Sequence, residues 1–483
     1  MKRIQWIAGG LLLWAIGSCT EDKGNYDYTR LNDLTIGGFE KSYTVEQSER
    51  LSIAADIKGT EGFDASRYDY LWYAWRVNNA ADPDTLSHEK DLDVEVGIAV
   101  GNYNLRYLVT DKETGVYYKM EADLNVVNSY SSGVVALSSV DGKANVTFIN
   151  AVNRVTENAY QTVNGEVAGT RPVGIFYTGG SEDVIGTLIV ATEDGSKVVN
   201  PSDFSEMMPF SDFFYITPEN QVMQKLCKSN WGYDEYVIVS GRIYNRRIAF
   251  VDNLFEKYDP EMKGDYEAAP FSMYESGDFF FYDQKGKRFL YASSYESPIP
   301  VEKPTSGDFD PTEMKAEMTY GIAFGEDARA VMDGDDGQRF VIACNKNTSY
   351  NDDYSEKYLR VVPLRKLVIN HPGFAEAKTF AVSSQEIDYL YYAAGNKIVC
   401  VGMQGGSVIA EFDGFAPGEQ VDYMEFDRTE ENPNRLYVGV SDGSGTAKSG
   451  SIYYLRMNSD GSLEKEAYFK NVCGKVVDFE YKP

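Results

Sequence analysis

Leu436-Tyr437-Val438-Gly439-Val440 is one of seven similar segments that follow one another through the second part of the chain. Each has three bulky, mostly apolar residues followed by two generally small ones, and its fourth position is always Ala, Ser or Gly. The segments begin about 50 residues apart, which is the length that a four-stranded propeller blade requires. The other six are Val135-Ala136-Leu137-Ser138-Ser139, Leu188-Ile189-Val190-Ala191-Thr192, Val237-Ile238-Val239-Ser240-Gly241, Phe289-Leu290-Tyr291-Ala292-Ser293, Phe340-Val341-Ile342-Ala343-Cys344 and Leu390-Tyr391-Tyr392-Ala393-Ala394.

This repetition predicts a seven-bladed β-propeller over residues 129–483. Sheets that converge on an axis admit only small side chains at their crowded ends, which accounts for the small fourth residue. The C-terminal run Val476-Val477-Asp478-Phe479-Glu480-Tyr481 resembles the strand that precedes the seventh repeat, whereas the first repeat has almost no room for such a strand. We therefore expect the C-terminal strand to complete the first blade and close the ring. Ordinary hairpins in two stacked sandwiches are the alternative.

Residues 31–128 form a separate unit of short alternating strands. Val, Ile and Tyr recur in short runs, and no long window has a helical period, so the whole chain is predicted to be all-β. The run Leu71-Trp72-Tyr73-Ala74-Trp75-Arg76-Val77 alternates strictly. It predicts a strand whose core face carries Leu71, Tyr73, Trp75 and Val77, with Trp72 on the opposite face and buried between the two domains.

The N-terminus has the features of a secretory signal. Lys2 and Arg3 precede an apolar stretch, residues 7–16, that is too short to span a bilayer. The stretch ends in Ile16-Gly17-Ser18-Cys19, which resembles the bacterial lipobox. We therefore expect residues 1–18 to be cleaved and Cys19 to carry acyl chains, with an ordinary signal peptide as the alternative. In the polar tether 19–30, Glu21 and Asp22 resemble the surface-export signal of Bacteroidetes lipoproteins.

Charge and composition exclude several classes of function. The chain has 46 Lys and Arg against 74 Asp and Glu, a formal charge of −28, which disfavours nucleic acid as a partner. It contains only two histidines, His88 and His371, and no nucleophile motif. We therefore predict no catalytic residues, no metal site and no cofactor. Calcium in the loop 333–337 is an alternative, although the loop lacks the twelve-residue calcium pattern.

Four cysteines remain besides Cys19, and none has metal-binding spacing. Several lie in apolar runs, where a buried, unreactive thiol is the usual state, and the sequence leaves their disulfide pairing open. They are Cys227, Cys344, Cys400 and Cys473.

The best candidate for ligand binding is the loop residue Trp231. Its neighbours include Tyr233 and Asp234. An indole ring flanked by polar groups stacks on a sugar or holds a peptide side chain, so these three residues are predicted to bind ligand. A tryptophan folded back to seal adjacent blades is the alternative.

Several of these features together resemble one family. The chain resembles the PKD-like family of Bacteroidetes lipoproteins in four features. They are the lipobox, the run Lys23-Gly24-Asn25-Tyr26-Asp27-Tyr28 behind it, the strand Leu34-Thr35-Ile36, and the segment Gly101-Asn102-Tyr103-Asn104-Leu105 before Thr110-Asp111. The strands of residues 31–128 resemble the PKD and related immunoglobulin-like sandwiches.

Members of this family are typically encoded beside an outer-membrane transporter of the starch-utilisation-system type (SusC/SusD-type). The resemblance implies a non-enzymatic accessory subunit, anchored in the outer membrane and exposed at the cell surface, that captures or presents a nutrient. Oligopeptide is the preferred cargo and glycan the second. A propeller hydrolase or lyase and a purely structural subunit are the rival hypotheses.

Overall fold

The structure is a computed structural model that describes residues 31–77, 79–128, 130, 132–178, 186–228, 234–247, 257–275, 278–293, 297–351, 353–354, 356–383, 388–429 and 432–482. The chain divides into two compact units, Met1–Val126 (unit 1) and Val127–Pro483 (unit 2). The regular structure of the described residues is almost entirely β-strand, so the predicted all-β class is confirmed. None of the helices in the described part is long and apolar enough to cross a membrane.

Unit 1 consists of one larger sheet and two strand pairs. The larger sheet has five strands in the order β2-β9-β8-β5-β6, and the pairs are β1-β4 and β3-β7. A 3-10 helix, Ala65–Arg67, precedes the fifth strand. The strands are β1 Leu34–Gly37, β2 Ser42–Glu46, β3 Arg50–Ile53, β4 Asp56–Gly59, β5 Tyr68–Arg76, β6 Asn79–Ser87, β7 Leu92–Glu95, β8 Gly101–Asp111 and β9 Tyr117–Val127.

The core of unit 1 lies on the face of β5 opposite to the predicted one. Trp72 and Ala74 are fully buried in one cluster with residues of the two strand pairs, whereas Val77 is 57% exposed. The Trp72 ring stacks on Tyr107 with centroids 4.0 Å apart, and its indole N–H donates to the Glu89 carbonyl at 3.0 Å. The predicted core face and the predicted interdomain position of Trp72 are therefore wrong.

The reason for this error is that both faces of β5 are rich in aromatic residues. The face with Tyr73 and Trp75 is only half-buried, and there the Arg106 guanidinium lies 4.6 Å from the Trp75 ring centroid. Alternation fixes which residues share a face, but it does not say which face meets the other layer.

Unit 2 contains 27 strands in its described residues, one short helix α1, Ala159–Asn164, and a 3-10 helix, Phe210–Phe213. Its strands are β10 Gly133–Val140, β11 Lys143–Asn150, β12 Val155–Thr156, β13 Pro172–Tyr177, β14 Leu188–Thr192, β15 Gly195–Val199, β16 Glu206–Pro209, β17 Met223–Lys228, β18 Asp234–Val239, β19 Arg242–Arg247, β20 Ala268–Glu275, β21 Asp278–Asp283, β22 Arg288–Ala292, β23 Ile299–Pro300, β24 Ala316–Phe324, β25 Asp327–Gly334, β26 Arg339–Tyr350, β27 Lys357–Leu367, β28 Phe380–Val382, β29 Tyr389–Ala394, β30 Lys397–Gly402, β31 Val408–Phe412, β32 Gln420–Phe426, β33 Arg435–Ser441, β34 Gly450–Met457, β35 Leu463–Cys473 and β36 Lys475–Lys482.

These strands form seven antiparallel sheets in the described part of unit 2. We number the strands of each sheet from the end that holds its first strand, which is β36, β13, β17, β20, β24, β28 or β32. The sheets are β36-β10-β11-β12, β13-β14-β15-β16, β17-β18-β19, β20-β21-β22-β23, β24-β25-β26-β27, β28-β29-β30-β31 and β32-β33-β34-β35.

The seven repeated segments occupy two different positions in these sheets. Five lie on second strands, namely β10, β14, β18, β29 and β33, whereas the fourth and fifth lie on the third strands β22 and β26. The second strands of those two sheets, β21 and β25, are buried in the same way. Adjacent buried strands have similar apolar sequences. The repeated segments are therefore evenly spaced even though two of them lie one strand further along their sheets than the other five.

The C-terminal strand joins the first repeated segment, as predicted. β36 pairs antiparallel with β10, from Gly133 opposite Lys482 to Ser139 opposite Lys475. Crowding accounts for the small fourth residue of the seventh repeat, Gly439. A Cβ atom on Gly439 would lie 2.3 Å from the Val476 side chain, so β33 and β36 approach too closely for a side chain there.

Candidate functional site

The first strands of the seven sheets lie beside one another. β36 contacts β13 and β32, β13 contacts β17, β17 contacts β20, and β20 contacts β24, while β28 contacts β32. A cavity of about 450 Å³ lies among them. We call it the hub cavity, and every first strand except β28 contributes to its lining. The lining residues are 173, 175–177, 224–226, 270, 319–322, 423–425 and 477–480.

Five of the six lining strands carry a β-bulge of one residue at the edge of this cavity. The bulges interrupt the register of β13, β17, β24, β32 and β36 with their second strands, and β20 has a longer irregularity. The pairing of β28 with β29 is continuous, and β28 does not line the cavity. The extra residues are Val173, Gln224, Thr319, Asp422 and Val477.

A bulge redirects the side chain that follows it, and bulges are common beside functional sites. The residues directly after the five bulges are Gly174, Lys225, Tyr320, Tyr423 and Asp478. The last four line the hub cavity. Equivalent positions in four sheets therefore contribute a lysine, two tyrosines and an aspartate to one space, although they are far apart in the sequence.

Two carboxylates of β36 reach the neighbouring strand. The Asp478 carboxylate accepts a hydrogen bond from the Ile175 backbone N–H at 2.9 Å, and the Glu480 carboxylate accepts one from the Tyr177 N–H at 3.1 Å. A Cβ atom on Gly174 would lie 3.2 Å from an Asp478 oxygen and 2.6 Å from the Phe176 ring. The absence of a side chain at Gly174 thus lets the Asp478 carboxylate approach the β13 backbone.

A third carboxylate, Glu425, shares the cavity with Asp478. The Tyr423 hydroxyl donates to Glu425 Oε2 at 3.2 Å. Burial and the negative charge of Glu425 raise the pKa of Asp478 to about 7. Burial also raises the pKa of Glu425, even though the positive charges of Lys225 and Arg428 act in the opposite direction. The two carboxyl groups therefore resist full ionisation at neutral pH.

The predicted ligand-binding residues do not include any of these groups. Trp231 and Tyr233 lie outside the described residues, and so do Cys19, Glu21 and Asp22. Asp234 is the first residue of β18, where its backbone carbonyl accepts a hydrogen bond from the Tyr274 hydroxyl at 3.1 Å. The predicted roles of these six residues stay predictions.

The hub residues were missed because their signal is a break in alternation. Val421-Asp422-Tyr423 and Val476-Val477-Asp478 each contain one residue too many for a regular strand. The irregularity is visible in the sequence, because the two segments resemble each other and each departs from strict alternation. The convergence of six strands on one cavity has no signal in a single sequence.

The acidic loop considered for calcium is engaged by its own neighbours. Asp333 pairs with Arg339 at 2.6 Å, Asp335 pairs with Lys287, and Asp336 accepts the Gln338 N–H at 2.9 Å. Within the described residues, no group of three or more His, Cys, Asp or Glu side chains is arranged to hold a metal ion.

The histidines and the four described cysteines are not among the residues that line the hub cavity. His371 is hydrogen-bonded to the Tyr392 hydroxyl and lies 3.8 Å from Glu411, while His88 is exposed. Four cysteines are free and buried, and burial raises the pKa of all four thiols, to about 11 for Cys227 and to about 12 for Cys344 and Cys400. They are Cys227, Cys344, Cys400 and Cys473.

Comparison with known proteins identifies the N-terminal part of the chain. Residues 19–172 match the PKD-like family, so the chain carries a PKD-like domain there. The match is shorter than half of the chain and extends past unit 1 into the first strands of unit 2. No curated protein matches the sequence.

Solved structures resemble the chain only at low identity. A quinonprotein alcohol dehydrogenase-like protein from Bacteroides thetaiotaomicron VPI-5482 is 14% identical, with 92% of this chain and 100% of that chain covered and a TM-score of 0.40. Dihydro-heme d1 dehydrogenase NirN is 12% identical, with 78% of this chain and 72% of that chain covered and a TM-score of 0.37. The Cps50 (Swd1) beta-propeller domain of Myceliophteria thermophila is 10% identical, with 58% of this chain and 96% of that chain covered and a TM-score of 0.30. Similarities of this size assign no function to the chain.

Proposed function

We propose that this protein is a cell-surface lipoprotein that captures oligopeptides as an accessory subunit of a Sus-like outer-membrane uptake complex. In this proposal unit 2 is a seven-bladed β-propeller that is completed by β36. Cys19 carries the acyl anchor, and Glu21 and Asp22 direct export to the surface.

The propeller architecture is supported by the arrangement of the sheets in unit 2. Seven sheets follow one another along the described chain, and their first strands are neighbours. The first sheet combines strands from both ends of the unit, because β36 pairs with β10. A ring of blades accounts for both facts, since joining the chain ends within one blade leaves no sheet at an open end of the array.

The observation that carries the binding role is the hub cavity. A structural hub would be filled with apolar side chains, whereas this cavity of about 450 Å³ is lined by Lys225, Glu425, Asp478 and Glu480 together with tyrosines. A concave site with a few convergent polar groups and carboxyls of perturbed pKa is the usual form of a ligand site. The accessory role and the lipid anchor rest on the sequence resemblance.

The uptake role is tested by affinity purification from detergent-solubilised membranes of the native organism. An epitope tag at the C-terminus would disturb β36, so the tag is placed in the exposed turn at Gly443. We expect the SusC/SusD-type transporter to co-purify with the chain. Cys19→Ala serves as a control, because it should remove the chain from the membrane fraction. Purification without any transporter component would contradict the uptake role.

The cargo is tested on the purified protein with separate oligopeptide and glycan libraries. We expect peptides to be retained, and Trp231→Ala to weaken their binding if the loop contributes. Retention of glycans alone would replace the peptide hypothesis with the glycan hypothesis.

One observation favours a hydrolase as a second candidate. Glu425 and Asp478 form a carboxyl pair of raised pKa inside a cavity, and such pairs carry out general acid and base catalysis. This candidate predicts slow cleavage of peptides or glycans, detected by mass spectrometry, that Asp478→Asn abolishes. Intact substrates after prolonged incubation would exclude it.

A further inference from the structure

We propose that the hub cavity binds the ammonium group of its ligand, with Glu425 and Asp478 as the acceptors. The inference rests on the capture role proposed above and names the chemical group that this site recognises. In an oligopeptide the group is the free N-terminus or a lysine side chain.

The lining of the hub cavity has more acidic than basic side chains. Among the described lining residues, Glu425, Asp478 and Glu480 are acidic and Lys225 is the basic one. Buried carboxylates normally have enough cationic or hydrogen-bonding partners to compensate for lost hydration. Here the compensation is incomplete, because burial still raises the pKa of both Glu425 and Asp478. A cationic ligand would supply the missing positive charge.

The polar side chains of the hub are held in place by the strands that carry them. Lys225, Tyr320, Tyr423 and Asp478 all follow a β-bulge on a first strand. Unlike simple acidic patches on loops, these groups project from strands of four different sheets. Asp478 is also held in place by the Ile175 N–H at 2.9 Å. Side chains fixed in this way lose little conformational entropy when a ligand binds.

The acceptors of the hub lining match the donors of an ammonium group. An ammonium group has three donors and no acceptor. Both oxygens of Asp478 accept backbone hydrogen bonds, one from the Ile175 N–H at 2.9 Å and the other from the Phe479 N–H at 3.0 Å, and one oxygen of Glu425 accepts from Tyr423. A carboxylate oxygen has two lone pairs, so each of these groups can accept a further donor. Tyr320 and Tyr423 also line the cavity, and the face of a tyrosine ring attracts a cation placed over it.

Proton release follows from the same geometry. Asp478 faces Glu425 and Tyr423 on β32, Lys225 on β17 and the Ile175 N–H on β13, and Glu425 additionally faces Arg428. A bound ammonium group stabilises both carboxylates and lowers their pKa. Binding near neutral pH therefore releases a proton, and affinity rises as the pH increases through about 7.

The test uses calorimetric titration of the full-length protein with two probes that differ in one charge. Triglycinamide carries an ammonium group, whereas N-acetyltriglycinamide is neutral. We expect triglycinamide to bind at least about tenfold more tightly, which corresponds to about 1.4 kcal/mol. The measurement is repeated in buffers of different ionisation enthalpy, where binding near pH 7 should release protons.

Variants assign the effect to the hub. Glu425→Gln and Asp478→Asn should each weaken triglycinamide binding by about tenfold. Glu419→Gln is the matched control, because Glu419 is also a buried carboxyl that accepts a tyrosine hydroxyl, from Tyr453 at 2.7 Å, and it does not line the cavity. Its affinity should stay within about twofold of the unmodified protein. Tyr423→Phe removes one hydroxyl, and it serves as a second hub variant if a charge variant fails to fold.

Three results would overturn the inference: equal binding of the two probes, unchanged affinity in both charge variants, or no binding of triglycinamide. The capture role is judged separately, by retention of longer peptides and co-purification of the transporter. Peptide binding that ignores the hub variants would reject this inference and leave the capture role in place, with the site on another surface.

Discussion

The interiors of the two units differ in kind. In unit 1, the Trp72 ring stacks on both Phe39 and Tyr107, with centroids 5.3 and 4.0 Å away, in a cluster of buried apolar residues. In unit 2, the first strands surround a cavity that contains Asp478, Glu425 and Lys225. An aromatic stack stabilises a fold without offering a site, whereas ionisable groups in a cavity cost folding free energy unless something compensates for them.

Apolar packing explains the interior of unit 1 but not the polar lining of the hub cavity in unit 2. In unit 1 the aromatic core follows from packing alone, and nothing in it needs a ligand. In unit 2 neighbouring sheets bury apolar residues between them, so apolar packing is already satisfied away from the hub cavity. The polar lining of the hub is then an added feature, and the following three variants separate the two kinds of interior.

Removal of the C-terminal strand should have the largest effect. Deleting residues 475–483 takes β36 from the first sheet, exposes the edge of β10, and removes two hub carboxylates. We expect the thermal transition of unit 2 to fall by more than about 10 °C or to disappear, while the transition of unit 1 persists. Differential scanning calorimetry distinguishes the two transitions.

A point variant of the same strand controls for nonspecific damage. Lys475→Ser changes an exposed side chain at the beginning of β36 and should leave both transitions within about 1 °C. If the truncated protein melts like the intact one, β36 does not hold unit 2 together.

How much of this could be predicted from sequence depends on the kind of pattern. The pairing of β36 with β10 was predictable, because residues 421–426 and 476–481 share one texture. The core face of β5 was not, since Trp72 and Trp75 lie on opposite faces and both are large and apolar. The hub was not predictable either, because Lys225 and Asp478 are 253 positions apart in the chain and come together only when the sheets pack against one another.

The second effect concerns the aromatic core of unit 1. Trp72→Ala should destabilise unit 1 by about 3–5 kcal/mol, since it removes a fully buried ring and its hydrogen bond to Glu89. Trp75→Ala is the matched control on the other face of the same strand. It removes mainly the contact with Arg106 and should cost about 1 kcal/mol. Urea unfolding followed by tyrosine fluorescence measures both, and equal losses would contradict the assigned core face.

The smallest expected effect is a pH-dependent change in the stability of unit 2. The pKa of Asp478 is raised to about 7 in the folded protein, so its favourable contribution is complete below about pH 4 and is lost as the pH rises through about 7. Asp478→Asn retains an acceptor for the Ile175 N–H but cannot ionise. Relative to the unmodified protein, it should therefore gain stability as the pH is raised from about 4 to about 8. The non-ionising control Val477→Ala should shift stability equally at both values, and a pH-independent effect of Asp478→Asn would show that the hub carboxyl is fully compensated.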